Sequence, residues 1–160
     1  MKLQKFVFIV FFLVVSSQVC FSQTMIKIKP IPTPPTVSSA VKSSPAYAEI
    51  LLRKTELLAE LESLLVEYTE EYPKVSELRF EAGSLQKELD RLLAVNPAET
   101  GKLTTALGKL MVRKSELETD LWGLQKQFND QHPDVKRAKR KAEIFEAAIQ
   151  EILQPVKKSD

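Results

Sequence analysis

One cysteine, one histidine, one tryptophan and four glycines are all that 160 residues hold of the side chains that build disulfides, metal cages and tight phosphate loops. Each scarcity excludes something. Cys20 has no partner for an intrachain disulfide, and cleavage of a leader after Ser22 leaves the rest without a thiol. His132, the only imidazole, cannot form a His-rich metal set, and no Ser/His/Asp pattern surrounds it. Four scattered glycines make no phosphate-cradling loop. No catalytic residue, metal site or cofactor site is therefore expected. Long hydrophobic runs are missing too. Residues 6–15 form an unbroken apolar run of ten, where a membrane span needs about 20, and no second run follows.

That first run has the layout of a secretory signal. Lys2 and Lys5 precede it, Ser16, Ser17 and Gln18 follow it, and Cys20 and Ser22 place small residues at −3 and −1 before Gln23. The expected segment is 1–22, and the expected compartment is periplasmic or secreted. Lipidation at Cys20 is a second reading, weakened by the bulk of Val19. Without Lys2 and Lys5 the 23 basic residues fall to 21, equal to the 21 acidic ones. Whole-chain charge thus gives no support to nucleic-acid binding.

Proline is concentrated rather than absent. Pro30, Pro32, Pro34, Pro35 and Pro45 crowd one stretch, and residues 23–44 read as an extended Pro/Ser/Thr linker. Beyond it the chain is rich in Leu, Glu, Lys, Ala and Gln, which lose little rotamer freedom in a helix. Ser44-Pro45 reads as an N-cap with proline at the first helical position. Apolar residues then recur at steps of three, four or seven in four runs. These begin at Ile50, Val75, Leu103 and Val135, and are broken at Pro73, Pro97, Pro133 and Pro155. A flanking stripe, Leu51, Leu58 and Leu65, widens the first run and predicts burial against more than one neighbour. Asn96, with Glu99 three residues on, reads as a cap for the third helix.

The chain superposes on itself at an offset of 60. Arg53-Lys54-Thr55-Glu56-Leu57 matches Arg113-Lys114-Ser115-Glu116-Leu117. Tyr68 matches Phe128, Tyr72-Pro73 matches His132-Pro133, and Leu85, Leu89 and Leu92 match Phe145, Ile149 and Ile152. Heptad bias alone does not produce the RK-[ST]-EL start or the ring-x3-ring-Pro corner, so the duplication is real. The fold class that follows is all-α: two tandem αα-hairpins, 45–95 and 96–154, forming an elongated four-helix bundle or coiled coil, with a tail at 155–160. An interior proline costs a helix about 3 kcal/mol. The corners, however, lack a Gly or Asn to reverse the chain. A tight turn and a kinked long helix both fit, and the turn is favoured because it lets each arm bury its stripe within the monomer.

The repeat also sorts candidate functional residues. Tyr72, Pro73, His132 and Pro133 are structural corners, because the position accepts any planar ring beside proline. Trp122 stands where its counterpart is Glu62, and is expected either to pack between the hairpins or to anchor a partner. Lys136, Arg137, Lys139, Arg140 and Lys141 form a basic cluster. Residues 46–95 carry 11 acidic against 6 basic side chains, a net −5, and this excess is expected to neutralise the cluster intramolecularly. The other reading of the cluster is a site for an acidic polymer or membrane surface. Glu56, Glu60, Glu67, Glu70 and Glu71 read as a solvated face rather than a cation site.

Tyr68-x3-Tyr72-Pro73-x-Val75-x2-Leu78 and Phe128-x3-His132-Pro133-Asp134-Val135, flanked by leucine heptads, resemble the periplasmic coiled-coil segments of bacterial polysaccharide chain-length determinant proteins and their associated tyrosine kinases. The resemblance covers the corners and their arms, not the membrane-spanning or kinase parts. It implies an envelope helical hairpin that assembles with others. The functional expectation is an exported, non-enzymatic scaffold or adaptor acting through coiled-coil contacts with a protein partner or a second copy. The alternative is a holdase-like chaperone or binding module for unfolded or acidic ligands.

Overall fold

The computed structural model describes residues 37–154; the expected signal at 1–22, most of the linker and the tail at 155–160 lie outside them. The described chain is helical throughout: α1 (Val37–Lys42), α2 (Pro45–Leu65), α3 (Pro73–Leu93), a 3-10 turn (Pro97–Lys102), α4 (Thr105–Gln125) and α5 (Pro133–Leu153). Every element of the first half recurs 60 residues later with the same length. The 3-10 turn is the counterpart of α1, and α4 and α5 are the counterparts of α2 and α3. The linker reading is thereby corrected at its end. Residues 37–42 are helical, Val41 is fully buried, and the repeat begins at 37 rather than 45.

Local chemistry explains the boundaries. The Ser44 hydroxyl accepts from the Tyr47 amide at 3.3 Å, and the Thr104 hydroxyl accepts from the Leu107 amide at 3.3 Å, each covering one orphan donor of a first turn. Asn96 caps the 3-10 turn, accepting from the Ala98 amide at 2.9 Å, and not α4 as expected from its spacing to Glu99. The Pro73 and Pro133 corners are tight reversals. The Tyr68 amide donates to the Leu64 carbonyl at 2.8 Å and the Phe128 amide to the Leu124 carbonyl at 2.9 Å. The Tyr72 and His132 amides each donate to the carbonyl three residues back at 3.0 Å. No glycine is needed because two successive turns share the reversal. The ring pairs brace it: Tyr68 stacks on Tyr72 at 4.2 Å, and Phe128 on His132 at 4.1 Å. Stacking needs a flat ring, which is why tyrosine and histidine are interchangeable here.

The helices form two hairpins, α2 with α3 and α4 with α5, laid side by side. α4 packs against α2, α3 and α5, whereas α5 packs chiefly on α4. The core runs along the first three long helices through Ile50, Leu57, Leu78, Leu85, Leu92 and Leu107, all under 2 % exposed. Each such side chain contributes roughly 1.5–3 kcal/mol by leaving water. Backbones approach closely where α2 meets α4: a Cβ on Gly108 would stand 2.8 Å from Glu49 Cβ and 2.9 Å from Ala46 Cα. Beside it the Ala46 amide, a first-turn orphan of α2, donates to the Leu103 carbonyl at 3.1 Å. Of the flanking stripe, Leu65 packs half-buried against the core as expected, and the other two leucines do not. Leu51 and Leu58 remain 43 % and 41 % exposed, because α3 and α4 occupy the other sides of α2.

Candidate interaction surfaces

The seam between the hairpins carries most of the buried polar side chains. Glu88 and Ser84 on α3 are buried at 3 % and 5 % exposure, and both face α4. Lys114 Nζ donates to Glu88 Oε1 at 2.7 Å, and lies 3.1 Å from both Glu118 and Glu146. Arg91 holds Glu146 through two bonds of 3.1 Å. Glu88 Oε2 has no hydrogen-bond partner among the described residues, with the Arg91 guanidinium 3.6 Å away. Ser84 Oγ donates to Glu118 Oε2 at 2.6 Å and lies 3.2 Å from Ser115 Oγ.

Charges in this seam are strongly coupled. Burial alone would lower the Lys114 pKa, but the hydrogen bond and charge of Glu88, with Glu118, outweigh it and hold the ammonium protonated well above its ordinary value. Burial likewise would raise Glu146, yet hydrogen bonds from Arg91, Gln150 and Lys114 bring it down to about 2. The network joins α3, α4 and α5. It fixes how the second hairpin lies on the first, since an ill-placed buried charge costs several kcal/mol.

Sequence reasoning missed this stripe. The available signal was the spacing Glu81, Ser84, Glu88: steps of three and four alongside the apolar seam, which is the pattern of a packed face rather than a solvated one.

Trp122 is taken up in the same seam. Its ring stacks on Phe80 of α3 at 4.8 Å with 14° between planes, and Lys126 Nζ lies 3.3 Å from its centroid. Two separations of that size place Phe80 and Lys126 on opposite faces. The ring pins α4 to α3, the first of the two roles considered for it.

The basic cluster behaves otherwise. All of Lys136, Arg137, Lys139, Arg140 and Lys141 are exposed. Arg137 pairs with Asp134 and Arg140 with Glu143 at 3.5 Å, both on α5 itself. The Arg137 hydrogen bond holds the Asp134 carboxyl below its usual range. Among the described residues no ion pair joins the cluster to the first hairpin. The expected neutralisation across the molecule is therefore not made. The acidic side chains of α3 are engaged elsewhere, Glu81 by Arg53, Glu88 by Lys114 and Glu77 by Lys74, although Glu77 borders the same groove as Arg137 and Lys141. At the second corner His132 Nδ1 accepts from the Asp134 amide at 3.2 Å, a helix cap that Tyr72 cannot supply.

Among the described residues no group of three or more His, Cys, Asp or Glu is arranged to hold a metal, and no helix is long and apolar enough to cross a membrane. Comparison with known proteins returns no matching family model, no matching curated protein and no matching solved structure.

Proposed function

We propose that this chain is an exported helical scaffold or adaptor that works through helix–helix contacts. The observation that carries the reading is the outward apolar face of α2. Leu51, Leu52 and Leu58 stand 43 %, 59 % and 41 % exposed on a helix whose other sides are packed. A helix that faced only water on that side would carry polar residues there. The ion network and the Phe80–Trp122 stack support a stiff mount for such a face. The resemblance of the corners to envelope chain-length determinants favours the periplasmic side of a cell envelope. The test is photocrosslinking in cells from position 52. Adducts that map to the helices of a defined protein or of a second copy are expected, and a complete lack of adducts overturns the reading.

The exposed basic cluster favours a second reading, a holdase-like module that gathers unfolded or acidic ligands. Suppression of client aggregation that is lost when Lys136, Lys139 and Lys141 are changed to Gln would favour it. Equal suppression by the variant would remove it.

A further inference from the structure

The seam between the hairpins is a worked example of one repeat unit docking on another. The 60-residue offset says where both of its faces recur, uncovered among the described residues, at the two outer sides of the stack. The first hairpin presents Phe80, Ser84 and Arg53 to the second. Their counterparts on the second hairpin are Arg140, Ile144 and Arg113, which face outward with Ile144 54 % exposed. The second hairpin offers Met111, Ser115, Glu116, Glu118 and Trp122 in return. Their counterparts on α2 are Leu51, Thr55, Glu56, Leu58 and Glu62, all exposed, although Met111 itself is fully buried.

Three of the displaced pairs match in kind. The Phe80–Trp122 stack becomes Arg140 opposite Glu62, two opposite charges. The Ser84–Glu118 hydrogen bond becomes Ile144 opposite Leu58, two apolar side chains. The Arg53–Glu116 ion pair, 3.9 Å apart, becomes Arg113 opposite Glu56, again an ion pair. In each case both partners have changed together, or neither has. Four contacts fit less closely. Ser84–Ser115 becomes Ile144 opposite Thr55, and the Arg91–Glu146 ion pair becomes Glu151 opposite Gln86, with no ion pair. Ala48 replaces Gly108, so the backbones stand further apart there, and Ala148 replaces Glu88, so Lys54 gains no buried carboxylate and keeps its own 2.5 Å contact to Gln86. The ends of the stack are also not finished as ends. A terminal repeat ordinarily turns a polar face outward, and these turn out leucine and isoleucine.

We infer that the chain assembles head to tail with copies of itself, the α2 face of one copy docking on the α4–α5 face of the next and repeating the step that relates its two hairpins. Such an interface is heterologous. It leaves a free face at each end and propagates beyond a dimer unless the rotation closes a ring. This deepens the scaffold reading and rests on it, with a second copy as the occupant of the apolar face.

The test is sedimentation equilibrium on the full chain and on two face variants, Leu51→Asp/Leu58→Asp and Ile144→Asp, with circular dichroism to confirm folding. Wild type is expected to gain mass with concentration past the dimer. Each variant alone should bind itself on the order of 100-fold more weakly. Mixed together, the two variants should form a one-to-one dimer and stop, because one intact face of each remains. Charge variants guard against misfolding: Glu62→Arg and Arg140→Glu should each weaken assembly roughly fivefold, and the two changes in one chain should restore it. A mixture that stays monomeric overturns the proposal, as does a variant that still dimerises alone, which would mark a symmetric contact through its intact face. A monomeric wild type also overturns it, whether α2 is covered by residues 23–36 or by another protein. If position 52 still crosslinks to another protein in that case, the scaffold reading survives the loss of self-assembly. If it crosslinks to nothing, both fall.

Discussion

α3 and α5 are both 21 residues long and both enter through a ring–proline corner, yet nine side chains of α3 are buried against three of α5. The apolar seams account for half of it: Leu78, Leu85 and Leu92 are buried where Ala138, Phe145 and Ile152 are half-buried. Val75, Ala82 and Leu89 have counterparts Val135, Ala142 and Ile149 of the same character and burial. The difference comes from neighbours: α3 has α2 on one side and α4 on the other, while α5 has chiefly α4. Position in a stack, rather than helix quality, decides how much of a repeat unit is covered. The polar residues follow suit. Glu81, Ser84 and Glu88 of α3 are buried, and of their counterparts Lys141 and Ile144 are exposed and Ala148 is half-buried.

Three measurements bear on that comparison. The largest effect is expected for Leu85→Ala, which should cost about 2–5 kcal/mol in urea unfolding because the side chain is fully buried. Its counterpart change, Phe145→Ala, removes more atoms from a half-buried site and should cost less. A greater loss at Phe145 would mean that α5 is as enclosed as α3, and the comparison would fail.

Next is Gly108→Ala. The added Cβ meets Ala46 backbone and Glu49 at under 3 Å, so α2 and α4 must part, at about 1–3 kcal/mol. Gly83→Ala, with nothing within 4 Å of the new Cβ, should instead stabilise by up to about 1 kcal/mol. Like signs at the two positions would remove the close approach from the account.

The smallest effect is acid dependence. Glu146 ionises at about 2 in the fold against an ordinary 4.5, so its contribution is present above 4.5 and lost as pH falls toward 2. Thermal midpoints should fall over that window, and Glu146→Gln should flatten this part of the fall. An unchanged profile in the variant would mean that the Arg91–Lys114 cluster does not hold α5.

The corners, the caps at Ser44 and the apolar seam of α3 were legible in the sequence, because each depends on neighbours within a few residues. Val75, Leu78, Ala82, Leu85, Leu89 and Leu92 follow one another at steps of three and four, and all are buried. The duplication was legible as well, since it needs only comparison of the chain with itself. α1 was not: six residues beside a proline-rich stretch show no period, and only their counterpart at Pro97–Lys102 marks them. Nor was the pairing of Lys114 with Glu88. Heptad spacing tells which side of a helix is packed but not which helix it meets, so Leu51 and Leu58 looked like core and proved to be surface. Trp122 was legible as a divergence from Glu62, but its partner Phe80 depends on how one hairpin lies on the other.

The constant spacing of the elements has a further consequence. Four long helices share one length, and both corners span the same seven positions, 66–72 and 126–132. A unit inserted in register would therefore advance the outer surface by a fixed increment without disturbing what lies on either side. Size becomes a countable property, changed by whole modules and never by stretching one of them. A gene that encodes such a protein holds a graduated ruler, and lengthening it by a mark requires only the copying of 180 bases, three for each of the 60 residues by which its halves are displaced.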